Sequence, residues 1–212
     1  MKAVIFDVDG LLIDSEPLWN KARDVFMERK NMHYDKSIDD VAVGMGLREV
    51  ILRWQELIGL NGETEELIKE YRKTFYEVAL NEQLVLMPGA RELINRLSSR
   101  SFVLAIATGG HTKDKVTEII KNLNLLQFFK VLVSSDDVSK GKPAPDVYLK
   151  TAGQLGVDPQ ECVVLEDAVN GVVAGKSAGM RVIGINIEDS IRAELLKAGA
   201  DEVYKSLNEL NL

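Results

Sequence analysis

The chain has few of the residues that staple, interrupt or metallate small folds: its 212 residues include one cysteine, two histidines and five prolines. Cys162 cannot form an internal disulfide, and its place in the apolar stretch CVVLEDA reads as a buried thiol, in keeping with a reducing cytoplasm. Cys162, His33 and His111 are too dispersed to assemble a zinc cluster. No apolar run approaches the ~18 to 20 residues that cross a bilayer. Asp7 interrupts the opening run Ala3 to Phe6, leaving it too short for the core of an export signal. A basic block is also missing. With 26 basic against 33 acidic side chains, a formal charge of -7 and a pI near 5.0, the chain has no general attraction to nucleic acid. Any phosphate it binds must be met by a local site. What is abundant is core-forming material, 46% apolar and 28% charged residues, the composition of a globular protein.

Apolar runs rich in β-branched residues recur at AVIF (3 to 6), FVLAIA (102 to 107), KVLVS (130 to 134), CVVLE (162 to 166) and RVIGI (181 to 185). They read as strands buried on both faces. Helical spacing fills the intervals at Ala90 to Leu97, Val116 to Leu123, Val147 to Leu155 and Val169 to Ala178. The alternation predicts an α/β, Rossmann-like core with a mainly parallel sheet. Between about 15 and 85 the rhythm changes: Trp19, Phe26, Ile51, Trp54, Leu67, Tyr71 and Phe75 follow helical spacing with no convincing strand among them. A detour of that length between neighbouring strands predicts an inserted, all-helical cap domain over residues 15–85, with its own apolar core, on a core domain of 1–14 and 86–212. Pro17 and the Met87-Pro88-Gly89 turn mark the junctions.

Ligand sites of parallel sheets lie beyond the carboxyl ends of the strands. The residues there are Asp7 and Asp9, then Thr108, then Lys142, then Glu166 and Asp167. Taken singly, each has an ordinary explanation as a cap, a turn or a solvated charge. Together they put several carboxylates beside one buried sheet, an arrangement too costly to leave without a cation or a phosphoryl group. Two nucleotide-binding patterns fail. NGVVAGKS (170 to 177) has Asn170 where a P-loop needs its first glycine, and no glycine spacing meets GxGxxG. The small residues Gly171, Ala174, Gly175, Ala178 and Gly179 read instead as a helix face packed tightly on the sheet.

The segments DVDGLLIDSEP (7 to 17), IATGG (106 to 110), KGKPAPDVY (140 to 148) and VVLEDAVNG (163 to 171) resemble, in order and spacing, the four motifs of the haloacid dehalogenase superfamily. The helical insert is similar to the C1-type cap of its β-phosphoglucomutase-like subfamily, and Asp14 to Trp19 with Gly46-Leu47-Arg48 are similar to stretches of hexose and hexitol phosphate phosphatases. The resemblance implies an Mg²⁺-dependent phosphomonoesterase, a monomeric cytoplasmic enzyme acting on a small phosphorylated metabolite. Asp7 is then the nucleophile that forms an aspartyl-phosphate. Asp9 is the acid that protonates the leaving group and later the base that activates water. Mg²⁺ is assigned to the carboxylates of Asp7 and Asp167 and the backbone carbonyl of Asp9, with Glu166 beside them. Lys142 pairs with Asp7 and the phosphoryl oxygens, while Lys140 is solvated. Thr108 and the amides of Gly109 and Gly110 complete the phosphoryl cradle. Arg48 in the cap and His111 after the cradle are candidates for touching the rest of the substrate, and His33 is expected at the surface.

Three competing functions fit the sequence less well. The sugar-phosphate mutases of the subfamily carry a cap histidine shortly after the first motif, whereas this chain has Trp19 and Asn20 there. Displacing a halide from carbon would not need the full Asp7, Asp9 and Asp167 set. Phosphoaccepting receiver domains share an acidic pair, a Thr and a Lys, but they are shorter and lack the helical insert.

Overall fold

The structure is a computed structural model that describes residues 1–32, 47–80, 82 and 84–212. His33 and Gly46, singled out above, lie outside the described residues. The chain divides into two compact units, Met1–Ile13 with Leu86–Leu212, and Asp14–Val85.

The larger unit is built on a six-stranded parallel sheet. Its strands are β1 (Ala3–Phe6), β4 (Val103–Thr108), β5 (Phe129–Ser134), β6 (Cys162–Glu166), β7 (Arg181–Ile185) and β8 (Glu202–Tyr204), in the order β5-β4-β1-β6-β7-β8. β1 and β6 are buried along their whole length, as strands covered on both faces must be. The connecting helices are α4 (Ala90–Ser99), α5 (Lys113–Asn122), α6 (Asp146–Leu155), α7 (Val169–Ser177) and α8 (Asp189–Lys197). The last pair, α8 and β8, extends the sheet beyond the five strands read from the sequence. Both are short and carry mixed polarity, so neither shows an apolar run. Gly175 of α7 fits the close-packing expectation, since an added Cβ would meet Val182 Cγ2 at 2.7 Å. Cys162 is buried as expected, and burial pushes its thiol up to about 11.

The sheet order fixes where chemistry can occur. From the central β1 the chain continues to β4 on one side and, later, to β6 on the other, so the carboxyl ends of these three strands flank a reversal of strand order. The register pairs Phe6 with Ile106 and with Leu165. One residue further, Asp7 emerges beside Glu166, and Thr108 ends β4.

The smaller unit holds α1 (Glu16–Arg29), α2 (Leu47–Ile58) and α3 (Thr64–Ala79). Leu18, Ala22 and Phe26 recur every fourth residue on α1, and Leu67, Tyr71, Phe75 and Val78 form the matching stripe on α3. Trp54 of α2 completes this core at 1% exposure, its ring 5.1 Å from that of Tyr71. The two crossings of the chain between the units pair as a ribbon, β2 (Ile13–Asp14) with β3 (Val85–Leu86).

Candidate active site

Lys142 is the hub of the strand-end cluster. Its Nζ donates to Asp7 Oδ1 at 2.5 Å, to Glu166 Oε1 at 2.5 Å and to the carbonyl of Ala107 at 3.3 Å, which uses all three ammonium protons. The side chain reaches inward from the loop after β5 and crosses the ring of Tyr148, with Nζ 5.0 Å from the centroid. Lys140, two residues earlier, is exposed.

Glu166 is buried to 1% exposure and fully engaged. Oε1 accepts from Lys142 and, at 2.5 Å, from the hydroxyl of Tyr148; Oε2 accepts from the amides of Asp167 at 3.1 Å and Ala168 at 3.3 Å. Four acceptances account for both oxygens, so Glu166 serves as an anchor under the site, and the carboxylates left open to a cation are those of Asp7 and Asp167. Tyr148, in the first turn of α6, is a member of the site that the sequence reading missed. Its signal was its place six residues after Lys142, on the helix that the KGKPAPDVY segment opens.

Asp7, Glu166 and Asp167 each bring one carboxylate oxygen within 4.8 Å of the others. Fully ionised, these three carboxylates would exceed the single ammonium of Lys142 by two negative charges, which one divalent cation would balance. The imbalance is felt by the groups themselves. Burial, with Glu166 and Asp9 adding to it against the pull of Lys142, pushes the Asp7 carboxyl up from 3.8 to about 8. Burial, then Glu166 and Asp7, likewise holds Asp167 well above the usual carboxylate range. Burial would lower Lys142, but the surrounding Asp7 and Glu166 outweigh it and keep the ammonium charged. Hard oxygen donors with a surplus of two charges fit Mg²⁺.

The first-motif loop is shaped for this cluster. Gly10 has φ +74°, and a Cβ there would stand 2.0 Å from Asp167 Oδ2. Only glycine lets the loop turn while Asp167 comes so close. The turn carries Asp9 out of the strand, where its Oδ1 lies 3.1 Å from His111 Nε2. His111 is wholly buried. It is thus placed on Asp9.

Thr108 is completely buried, and among the described residues its hydroxyl has no hydrogen-bond partner. A buried hydroxyl without a partner is costly and marks a place for a missing acceptor or donor. Beside it, a Cβ added to Gly109 would meet nothing within 4 Å, so space is open next to the Gly109 backbone, while the carbonyl of Gly109 is tied down by the Ser135 hydroxyl at 3.0 Å. Arg48 belongs to the smaller unit, in the first turn of α2, and pairs there with Glu65 at the start of α3.

A parallel sheet whose switch-point strands end in acidic, hydroxyl and lysine side chains defines a phosphoryl-handling hydrolase fold, and the chain belongs to the haloacid dehalogenase-like hydrolases, whose description matches residues 4–185. Similar proteins narrow the comparison. A phosphorylated carbohydrates phosphatase of Thermotoga maritima is 34% identical over 216 residues, covering 100% of this chain and 98% of its own length. Hexitol phosphatase B of Escherichia coli is 36% identical over 191 residues, 85% of this chain and 82% of that protein. The crystal structure of CbbY from Rhodobacter sphaeroides in complex with phosphate superposes with a TM-score of 0.82 at 26% identity, covering 100% of this chain and 96% of that one.

Proposed function

We propose that the protein is a phosphomonoesterase that hydrolyses a small phosphorylated metabolite, a hexose or hexitol phosphate, through an aspartyl-phosphate on Asp7. The observation that carries this reading is the single cluster formed by residues of three distant segments. Asp7 meets Lys142 and lies with Asp167 and Glu166, with Asp9 two residues on. The printed activities of the T. maritima and E. coli relatives supply the substrate class.

In this reading an Asp7 oxygen attacks phosphorus, the bond to the ester oxygen breaks, and Asp9 gives its proton to the departing alkoxide. Water then attacks the same phosphorus, Asp9 takes back a proton, and orthophosphate leaves with Asp7 restored. Lys142 holds Asp7 and offsets charge on the phosphoryl oxygens, and the Thr108 hydroxyl and Gly109 amide bind them. Mg²⁺, held by the carboxylates of Asp7 and Asp167 and the carbonyl of Asp9, would supply positive charge that offsets the repulsion between carboxylate and phosphate. Between unit charges 4 Å apart that repulsion is about 4 kcal/mol at an effective dielectric of 20.

Hydrolysis is favoured over intramolecular transfer by Trp19. Its ring stacks on Phe75 at 4.0 Å, and its carbonyl accepts from Tyr71 at 3.1 Å, so the position that carries a histidine in the mutases belongs here to the aromatic core of the smaller unit. Purified protein incubated with a panel of hexose, hexitol and triose phosphates should release phosphate in Mg²⁺ and not in EDTA. Asp7→Asn should abolish that release, and turnover by the Asn variant above a few per cent of native would remove Asp7 as nucleophile. Conversion of glucose 1-phosphate to glucose 6-phosphate in the presence of the bisphosphate would establish the mutase instead.

A further inference from the structure

We infer that His111 is a positioning residue for the general acid: its buried imidazole, donating through Nε2–H, holds Asp9 Oδ1 and fixes the direction of the carboxyl group. The inference rests on the phosphatase reading and deepens it by explaining how one carboxyl group is kept aimed through both halves of the cycle.

The geometry supports a fixed contact. His111 Nε2 is 3.1 Å from Asp9 Oδ1, the imidazole is wholly buried, and the Asp9 side chain keeps 24% of its surface accessible. One oxygen is therefore held against a buried ring, while the carboxyl still has access to an incoming group. Chemistry then selects the tautomer. Were Nε2 an acceptor, protonated Asp9 would direct its O–H at the imidazole and have no proton to offer a leaving group. With Nε2–H as donor, Oδ1 accepts in both states, as carbonyl oxygen when Asp9 is protonated and as carboxylate oxygen when it is not. Holding the acid in productive orientation is the kind of pre-ordering on which proton transfer depends.

The test separates this role from simple support of the loop by varying how much the leaving group needs a proton. An alkoxide of a sugar needs one, whereas p-nitrophenolate leaves without it, and kcat/KM reports only steps up to departure. His111→Phe keeps a ring of similar size and removes the donor. We expect it to lower kcat/KM about 100-fold for whichever hexose or hexitol phosphate the native protein turns over fastest, and by less than about threefold for p-nitrophenyl phosphate. His111→Gln, which returns an N–H at similar reach, should recover most of the sugar-phosphate loss. If His111→Phe does not fold, His111→Asn, whose amide falls short of Asp9, carries the same expectation. Equal losses on both substrates, or none on either, would overturn the role of His111 while leaving the phosphatase reading standing. A native protein inactive on both would overturn the two together.

Discussion

Replacing Gly171 by alanine sets two opposed effects against each other at one helical position. Gly171 lies in α7, and on helix propensity alone Gly→Ala stabilises by about 1 kcal/mol. The added Cβ, however, would stand 1.8 Å from Glu166 Oε1 and 1.9 Å from its Cδ. Such contacts cannot be absorbed by small shifts, so the buried carboxylate must swing out and release Lys142, Tyr148 and the amides of Asp167 and Ala168. Breaking a buried, hydrogen-bonded ion pair costs about 3 to 5 kcal/mol, and these bonds do not add independently. The expected balance is a net loss of about 2 to 4 kcal/mol, opposite in sign to the propensity. Urea denaturation followed by circular dichroism measures it; tryptophan fluorescence would not, because Trp19 and Trp54 both lie in the smaller unit. The decisive control is the same substitution in a Glu166→Ala background, where the obstacle is gone and alanine should now stabilise by about 1 kcal/mol. Gly171→Ala that is neutral or stabilising in the native background, or a loss unchanged when Glu166 is absent, would refute the reasoning.

Thr108→Val should leave stability within about 1 kcal/mol of native, because the hydroxyl it removes has no partner among the described residues, yet it should reduce phosphatase turnover about 100-fold by removing a phosphoryl contact; equal damage to folding and turnover would contradict this. A pH dependence follows from Asp7, whose carboxyl is raised from 3.8 to about 8 in the metal-free fold. Between those values the folded chain keeps a proton that the unfolded chain has released, so this group's contribution to stability falls as pH rises from about 4 to about 8. Mg²⁺ should remove that loss, so the urea midpoint gap between Mg²⁺ and EDTA samples should widen from pH 5.5 to pH 8. A gap that narrows, or no gap, would count against a cation at these carboxylates. By the same linkage, Mg²⁺ added at pH 7 should release protons from these carboxyls, measurable by calorimetry in buffers of different ionisation enthalpy.

How much of this was legible in the sequence depended on whether the deciding contact was local. AVIF, CVVLE and RVIGI coincide with β1, β6 and β7 because a strand covered on both faces is apolar along its interior, a property visible residue by residue. The strand-end acids, Thr108 and Lys142 were legible for the same reason, once a parallel sheet directed attention to its carboxyl edge. Contacts between side chains distant in sequence were not. Tyr148 falls in the helical run from Val147 to Leu155, and its ring joins the core; its hydroxyl on Glu166 depends on how α6 lies against β4 and β5. His111 looked like a loop residue beside a phosphate cradle, and nothing in GGHT states that the turn folds inward onto Asp9, 102 positions away. Gly171 is the most instructive instance. Its small size was read as close packing of helix on sheet, which holds for Gly175, but the space at Gly171 is filled by the Glu166 carboxylate. A glycine in a helix signals that something approaches, and only the fold decides whether that something is a valine methyl of the core or a charged group of the strand-end cluster.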